Sequence, residues 1–246
     1  MKLTFAGVVA DAWGLFRRDA DLLLRIAGVF MFFPAFALTL LVPPMPVPDG
    51  NIADATARAE QWTNALGDWL GGYGIGFVIA YAAVYFGWAI IAVLYCDPAR
   101  PDIRGAVARA ARIYPRFFLA MLLVSLPAGL GMWVLVIPGL YVVGRTLPVA
   151  AILLAERPVG AWRAIRRSLV LTRGNGMALI GLAAFAYLFG LLAGQPFLLL
   201  DHWLRTEGGA NPVAVAMADA LAAAAATATQ VALVLFAIVS YRRLAR

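Results

Sequence analysis

Long apolar runs separated by charged segments set the pattern of this chain. Six runs approach or exceed the roughly 20 residues that an α-helix needs to cross a bilayer. Pro and Gly interrupt one continuous apolar stretch between Leu126 and Gly139, which predicts a very tight turn between the third and fourth runs. The predicted spans extend from about Leu22 to Val42, Leu70 to Tyr95, Phe117 to Leu135, Pro138 to Ala155, Met177 to Leu200 and Pro212 to Tyr241.

Charged amphipathic segments precede the odd-numbered spans. Two of them share a sequence motif in which Ala-Trp is followed four residues later by Arg-Arg, at positions 12–18 and 161–167. At about 100° per residue, the second segment has Arg on one face and Ala161, Trp162, Ile165, Leu169 and Thr172 on the other. We predict interfacial helices at Phe5–Arg18 and Gly160–Arg173, the latter ended by Gly174, and a looser one at Ile103–Tyr114. Each would precede a membrane hairpin, which makes three repeated units.

The composition supports an all-α polytopic membrane protein. The chain is 63% hydrophobic, with a mean hydropathy of +0.85, whereas soluble domains are nearer half apolar. The alternating pattern of a β-barrel strand is missing. We expect one six-span domain over residues 1–246.

The charge distribution predicts the orientation. The net charge is +7, and only Lys2 among the 20 basic residues is a lysine. Most of the arginines flank the termini and the even-to-odd connections, which is typical of cytoplasmic loops and argues against nucleic-acid binding. We therefore predict a bacterial inner-membrane protein with both termini in the cytoplasm.

Two ionisable residues lie inside predicted spans. Arg145 is in span four and Asp219 is in span six, at similar depths from the same side. Because an ionised group in hydrocarbon costs a few kcal/mol or more, each should have a partner or water. We predict that the two side chains are close. Such a pair would pin two helices together or form the polar midpoint of a transport route.

The arginine face of the second interfacial segment is a candidate phosphate site. Arg163, Arg166, Arg167 and Arg173, with Ser168 nearby, could hold the phosphate of an anionic lipid, as could Arg17 and Arg18 of the first segment. The alternative is a topology signal with nonspecific headgroup contact.

Glu156 has two interpretations. It ends span four just before the second interfacial segment. We favour a carboxylate at the start of the following helix, where the helix dipole stabilises it. The alternative is an acidic partner for the arginine face.

Catalytic and cofactor motifs are missing from the sequence. The chain has one His and one Cys, and its acids are scattered. No P-loop, dinucleotide fingerprint, HExxH or GxSxG is present. We expect no metal, no cofactor and no enzymatic activity.

Three parts of the chain resemble a known family. They are Leu147–Glu156, the Ala161-Trp162 pair and Arg167–Gly174. The pattern is similar to that of YciC-like bacterial inner-membrane proteins and of the membrane domain fused to some glycerophosphodiester phosphodiesterases. There, a span ends in Pro and then Glu, and an Ala…Arg-Ser-x-x-Leu-x-x-Gly helix follows.

The resemblance implies a six-helix membrane domain. The hydrolase activity of the fused proteins resides in a separate soluble domain, whose metal-binding acids this chain lacks. We expect a non-enzymatic membrane protein that engages anionic lipid or a partner protein at its cytoplasmic face. A small transporter or lipid-translocating protein is the alternative.

Overall fold

The computed structural model describes residues 3–99, 101–156, 159–206 and 211–245, except the side chains at positions 133 and 134. Within these ranges every regular element is helical. In chain order the elements are α1 (Phe5–Arg18), α2 (Ala20–Ala27), a π-helical turn (Gly28–Phe32), α3 (Phe33–Leu41), α4 (Ala55–Cys96), α5 (Ile103–Val134), α6 (Val136–Thr146), α7 (Val149–Ala155), α8 (Ala161–Leu171), α9 (Gly176–Thr206) and α10 (Pro212–Leu244).

Six helical stretches are long and apolar enough to cross a membrane, as the sequence predicts. They are Ala20–Leu41, Ala55–Cys96, Ile103–Met132, Val136–Ala155, Gly176–Thr206 and Pro212–Leu244. The all-α, six-span architecture is therefore confirmed, and the protein is a multi-pass membrane protein.

The first span contains an irregular turn. Pro34 lies in the first turn of α3. Its backbone nitrogen carries no hydrogen, so it cannot donate the hydrogen bond of a regular helix. The turn immediately before it widens into the π-helical segment Gly28–Phe32. Such widened turns recur at functional sites.

The second span belongs to a helix that is longer than a bilayer is thick. The 42 residues of α4 correspond to about 63 Å. Asp54 caps its start by accepting a 2.8 Å hydrogen bond from the backbone N–H of Thr56. The indole N–H of Trp69 donates to the carbonyl of Pro43 over 2.9 Å. This bond connects the loop between α3 and α4 to the helix.

The third span has no separate interfacial helix, so the prediction at Ile103–Tyr114 is wrong. Residues 103–134 form one helix that continues through Pro115 and Pro127. No glycine or capping residue interrupts it near Tyr114, whose hydroxyl donates to the carbonyl of Ala82 on α4. The predicted three-unit repeat therefore has its interfacial helix in only two units.

The predicted tight turn between spans three and four is confirmed. Leu135 alone separates α5 from α6. A Cβ added at Gly131 would lie 2.9 Å from the Cα of Gly139, so the two helices touch through glycines. A second break follows at Leu147 and Pro148, after which α7 is buried from Val149 to Leu154.

Both segments predicted to be interfacial helices are helical, as α1 and α8. Gly174 has a φ of +78° just after α8 and so ends it, as expected. The backbone N–H of Leu3, just before α1, donates to Oδ1 of Asn175 over 2.7 Å. Nη2 of Arg243 on α10 lies 2.6 Å from Oδ2 of Asp11 on α1. We call this end of the bundle, with α1, α8 and the C-terminus of α10, the basic end.

Two glycines of α9 pack closely against α10, whereas two glycines of α4 have no such contact. A Cβ on Gly190 would collide with Thr229, and one on Gly194 would contact Ala225 at 3.6 Å. These contacts let α9 and α10 approach closely. In contrast, a Cβ on Gly72 or Gly76 would meet nothing within 4 Å, so no other helix packs against these two positions of α4.

Candidate functional site

The inner face of α8 packs against the bundle through small and apolar residues. Ala161, Ala164, Ile165, Ser168 and Thr172 are buried. Trp162 is 66% exposed, so it lies beside the arginines rather than on the buried face. The helix therefore presents arginines and an indole ring outward.

Glu156 is the acidic partner of the arginine face. The Nε of Arg167 donates to Oε2 of Glu156 over 3.1 Å, and the hydroxyl of Tyr241 lies 3.4 Å from Oε1. Glu156 follows α7, and the first turn of α8 contains no acid. The favoured prediction of a helix-start carboxylate is therefore wrong, because the carboxylate reaches across to the middle of α8.

Four arginines of the interfacial helices remain without an ion pair among the described residues. Arg163 and Arg166 lie along α8, Arg173 lies in the turn just after it, and Arg17 lies near the end of α1; all four are exposed. Arg18, in contrast, pairs with Asp19 at 2.8 Å. The unpaired guanidinium groups are available to an anionic ligand.

Ser168 is not available to a phosphate group. Its side chain is fully buried, and its hydroxyl donates to the backbone carbonyl of Arg145 over 2.8 Å. The hydroxyl of Thr172, one turn later, donates to the backbone carbonyl of Ser168 over 2.8 Å. The prediction that Ser168 joins the arginines is therefore wrong, because its hydroxyl fastens α8 to the end of α6.

Arg145 lies near the start of α9. Its Nη2 donates to the carbonyl of Leu169, and its guanidinium carbon lies 5.7 Å from the ring centre of Tyr141. A Cβ added at Gly176 would lie 3.9 Å from its Cδ. Its Nε is buried without a hydrogen-bond partner among the described atoms.

Asp219 is on α10 and lies beside the other end of α9, so the predicted Arg145–Asp219 pair does not form. Asp219 accepts a 2.8 Å hydrogen bond from Arg205. Arg205 lies 29 residues beyond Gly176 on the same continuous helix, which corresponds to about 43 Å. Equal sequence depth misled the prediction because the first part of span four packs against the start of α9, where Gly144 meets the backbone of Leu179 and Ile180.

Arg205 joins two carboxylates. Its Nε donates to Oδ1 of Asp201 over 2.7 Å, and its Nη2 donates to Oδ2 of Asp219 over 2.8 Å. Asp219 is fully buried, and its Oδ1 has no partner in the described structure. Sequence reasoning missed Arg205, although its i,i+4 spacing from Asp201 was a usable signal.

The end of α1 is connected to α4 through Asp19. The hydroxyl of Tyr95 donates to Oδ2 of Asp19 over 2.7 Å. The hydrogen bond from Arg18, followed by that from Tyr95, lowers the pKa of Asp19 below its ordinary value. This network orders the turn between α1 and the first span, next to Arg17.

The chain matches no family model, no curated protein and no solved structure in comparisons with known proteins. The resemblance to YciC-like proteins therefore stays a prediction. Among the described residues, no three His, Cys, Asp or Glu side chains gather where they could hold a metal ion.

Proposed function

We propose that the protein is a non-enzymatic membrane module of a bacterial inner membrane that binds anionic lipid headgroups through α1 and α8 at the basic end. The observation that carries the proposal is the set of exposed, unpaired arginines on these two helices and in the turn after α8: Arg17, Arg163, Arg166 and Arg173. Guanidinium groups match phosphate oxygens in a bidentate geometry, and several at one membrane depth favour anionic lipid.

Aromatic residues of the same helices support the proposal. Trp13 on α1 is 58% exposed, and Trp162 on α8 is similarly exposed. Indole rings favour the headgroup level of a bilayer, where one edge is apolar and the other is wet. Each helix therefore combines an interfacial anchor with free cationic groups.

The positive-inside rule puts the basic end in the cytoplasm. A cysteine-labelling experiment tests this orientation. In a Cys96→Ser background, Asn51→Cys should react with a membrane-impermeant maleimide in intact cells whose outer membrane is permeable to the reagent. Ala245→Cys should react only after the inner membrane is opened. The opposite labelling pattern would contradict the orientation.

A lipid-exchange experiment tests the headgroup proposal. The full-length protein is placed in nanodiscs of mixed phosphatidylglycerol and phosphatidylcholine, extracted with mild detergent, and examined by native mass spectrometry. We expect the wild type to retain phosphatidylglycerol preferentially. The variant Arg163→Gln/Arg166→Gln/Arg173→Gln should lose most of this preference, because Arg167, the remaining arginine of α8, is paired with Glu156.

The matched control removes three charges from another helix of the same end. The variant Arg104→Gln/Arg112→Gln/Arg116→Gln changes α5 and should keep the preference for phosphatidylglycerol. An equal loss in both triple variants would mean that only the total positive charge matters, and the proposed site on α8 would be wrong.

A transport route through Arg145 and Asp219 has no geometric support. The two residues lie near opposite ends of α9, and each has a different partner. The lipid-binding proposal is therefore favoured over the transport alternative.

A further inference from the structure

We infer that the groove between α1, the first span and the α9–α10 hairpin holds one acyl chain of an anionic phospholipid. This inference rests on the headgroup function proposed above and adds the part of the site that takes the chain. The groove has a volume of about 570 Å³, within the range of small-molecule sites.

The groove has a deep apolar floor and an exposed aromatic rim. Val231, Leu235 and Phe236 of α10 form part of the floor and are almost fully buried. Trp13 and Phe189 belong to the rim, and each is more than half exposed. A ligand can therefore enter from the side, through the lipid-facing surface.

The chemistry of the lining selects an apolar ligand. The lining includes the hydroxyl of Thr227, which donates to the carbonyl of Ala223 over 2.7 Å and so is already satisfied. Water gains few hydrogen bonds in such a space. An empty apolar groove would forfeit packing contacts, so hydrocarbon is the natural filler.

The dimensions favour an acyl chain over a partner helix. Along α10 the groove extends from Ala224 to Phe236, which corresponds to about 18 Å. This length is close to one leaflet of a hydrocarbon core that is about 30 Å thick. A partner helix that crosses the bilayer would instead need a groove along the whole of that thickness.

Charge at the rim identifies the class of lipid. Arg17 lies four residues after Trp13 on α1, so the two side chains share one side of the helix. Arg17 is exposed and unpaired among the described residues. A chain in the groove would therefore bring its phosphate toward the guanidinium group of Arg17.

Gly28 offers a way to fill the groove without a clash. It lines the groove as the first residue of the π-helical turn. A Cβ added there would meet nothing within 4 Å. Gly28→Leu should therefore occupy the chain site. Gly76→Leu is the matched control, because Gly76 also faces open space but does not line the groove.

Photo-crosslinking with a lipid probe tests the inference. The full-length protein is reconstituted with phosphatidylglycerol that carries a diazirine near the end of one chain, irradiated, and mapped by peptide mass spectrometry. We expect crosslinks on α9 and α10 in residues 185–189 and 224–236. Gly28→Leu should reduce them at least fivefold, and Gly76→Leu should leave them unchanged. A second filling variant, Ala228→Leu, should act like Gly28→Leu, and thermal unfolding identifies any variant that misfolds.

The outcomes separate the chain site from the headgroup proposal. Crosslinks that the two filling variants leave unchanged, or that concentrate outside the groove, would overturn the chain site, whatever the headgroup preference. If a phosphatidylcholine probe labelled the groove as strongly as the phosphatidylglycerol probe and Gly28→Leu blocked both, the headgroup selectivity would be overturned and the chain site would stand.

Discussion

Arg205 donates a 2.8 Å hydrogen bond through Nη2 to Oδ2 of Asp219, a carboxylate with no solvent exposure. The same guanidinium group also binds Asp201 at 2.7 Å. It therefore stabilises the most deeply buried carboxylate of the described structure and joins the ends of α9 and α10.

Removal of this arginine should destabilise the protein strongly. Arg205→Ala leaves Asp219 buried without its cation, and a buried pair broken in this way typically costs about 3–5 kcal/mol. We expect about 3 kcal/mol, the lower limit, because the side chain of Arg205 is 42% exposed. Thermal or denaturant unfolding in detergent measures the loss.

Two variants control for this effect. Arg25→Ala breaks an i,i+4 pair whose side chains are 75% and 80% exposed, and it should cost less than about 0.5 kcal/mol. Adding Asp219→Asn to Arg205→Ala should recover part of the loss, since the buried amide is neutral. Equal destabilisation by Arg25→Ala and Arg205→Ala would contradict the structural role of the Arg205–Asp219 pair.

The connection between α1 and the first span should be sensitive to acid. Arg18 and Tyr95 lower the pKa of Asp19, so Asp19 stabilises the fold above the ordinary aspartate pKa of about 3.9. This contribution is lost as the pH falls through the lower pKa of the folded state. We expect Asp19→Asn to be less stable than wild type at pH 7, and the difference to shrink below about pH 4.

Unfolding temperatures measured between pH 7 and pH 3 check this expectation. Asp21→Asn changes an exposed carboxylate two residues away and should differ little from wild type at any of these pH values. A difference between wild type and Asp19→Asn that stays constant down to pH 3 would rule out the proposed role of the ionised Asp19.

Close helix approach should make one glycine essential and leave another free. A Cβ at Gly144 would lie 2.8 Å from the backbone of Leu179 and Ile180, and backbone cannot give way as a side chain can. We expect Gly144→Ala to cost about 2 kcal/mol. Gly76→Ala, whose Cβ faces open space, should leave the unfolding temperature unchanged or raise it.

The sequence predicts the fold far better than the pairing of its charges. Hydrophobic periodicity is sufficient to predict the six spans and the helices α1 and α8, and the prolines and glycines between Leu126 and Gly139 predict a tight turn there, because these features depend on local patterns. The partner of Asp219 depends on where the end of α9 meets α10, and the surroundings of Arg145 depend on where α6 meets α9. A depth estimate from the sequence could not foresee these contacts.

The arginine face illustrates the same limit. Sequence periodicity correctly located the arginines on the outer face of α8, but it also grouped Ser168 with them. The structure buries Ser168 against the carbonyl of Arg145, a contact between segments 23 residues apart. A residue at the edge of a helical face can belong to either side until its neighbours are known.

Ser168 should therefore affect stability and leave lipid binding intact. Ser168→Ala removes the shorter of two donors to the carbonyl of Arg145. An unsatisfied buried acceptor costs about 1–3 kcal/mol, and we expect about 1 kcal/mol because the hydroxyl of Thr172 stays 3.5 Å from this carbonyl. Phosphatidylglycerol retention by native mass spectrometry should remain at the wild-type level. Lost retention at unchanged stability would return Ser168 to the headgroup site.

The identity of the lipids that co-purify with the protein tests the central claim most directly. The wild type and the α8 variant Arg163→Gln/Arg166→Gln/Arg173→Gln are purified in mild detergent, and their bound lipids are quantified against the lipids of the source membrane. We predict that the wild type is enriched in anionic phospholipid relative to that membrane and that the variant falls to the membrane's own proportion. A wild type whose bound lipids match the membrane composition would contradict the account.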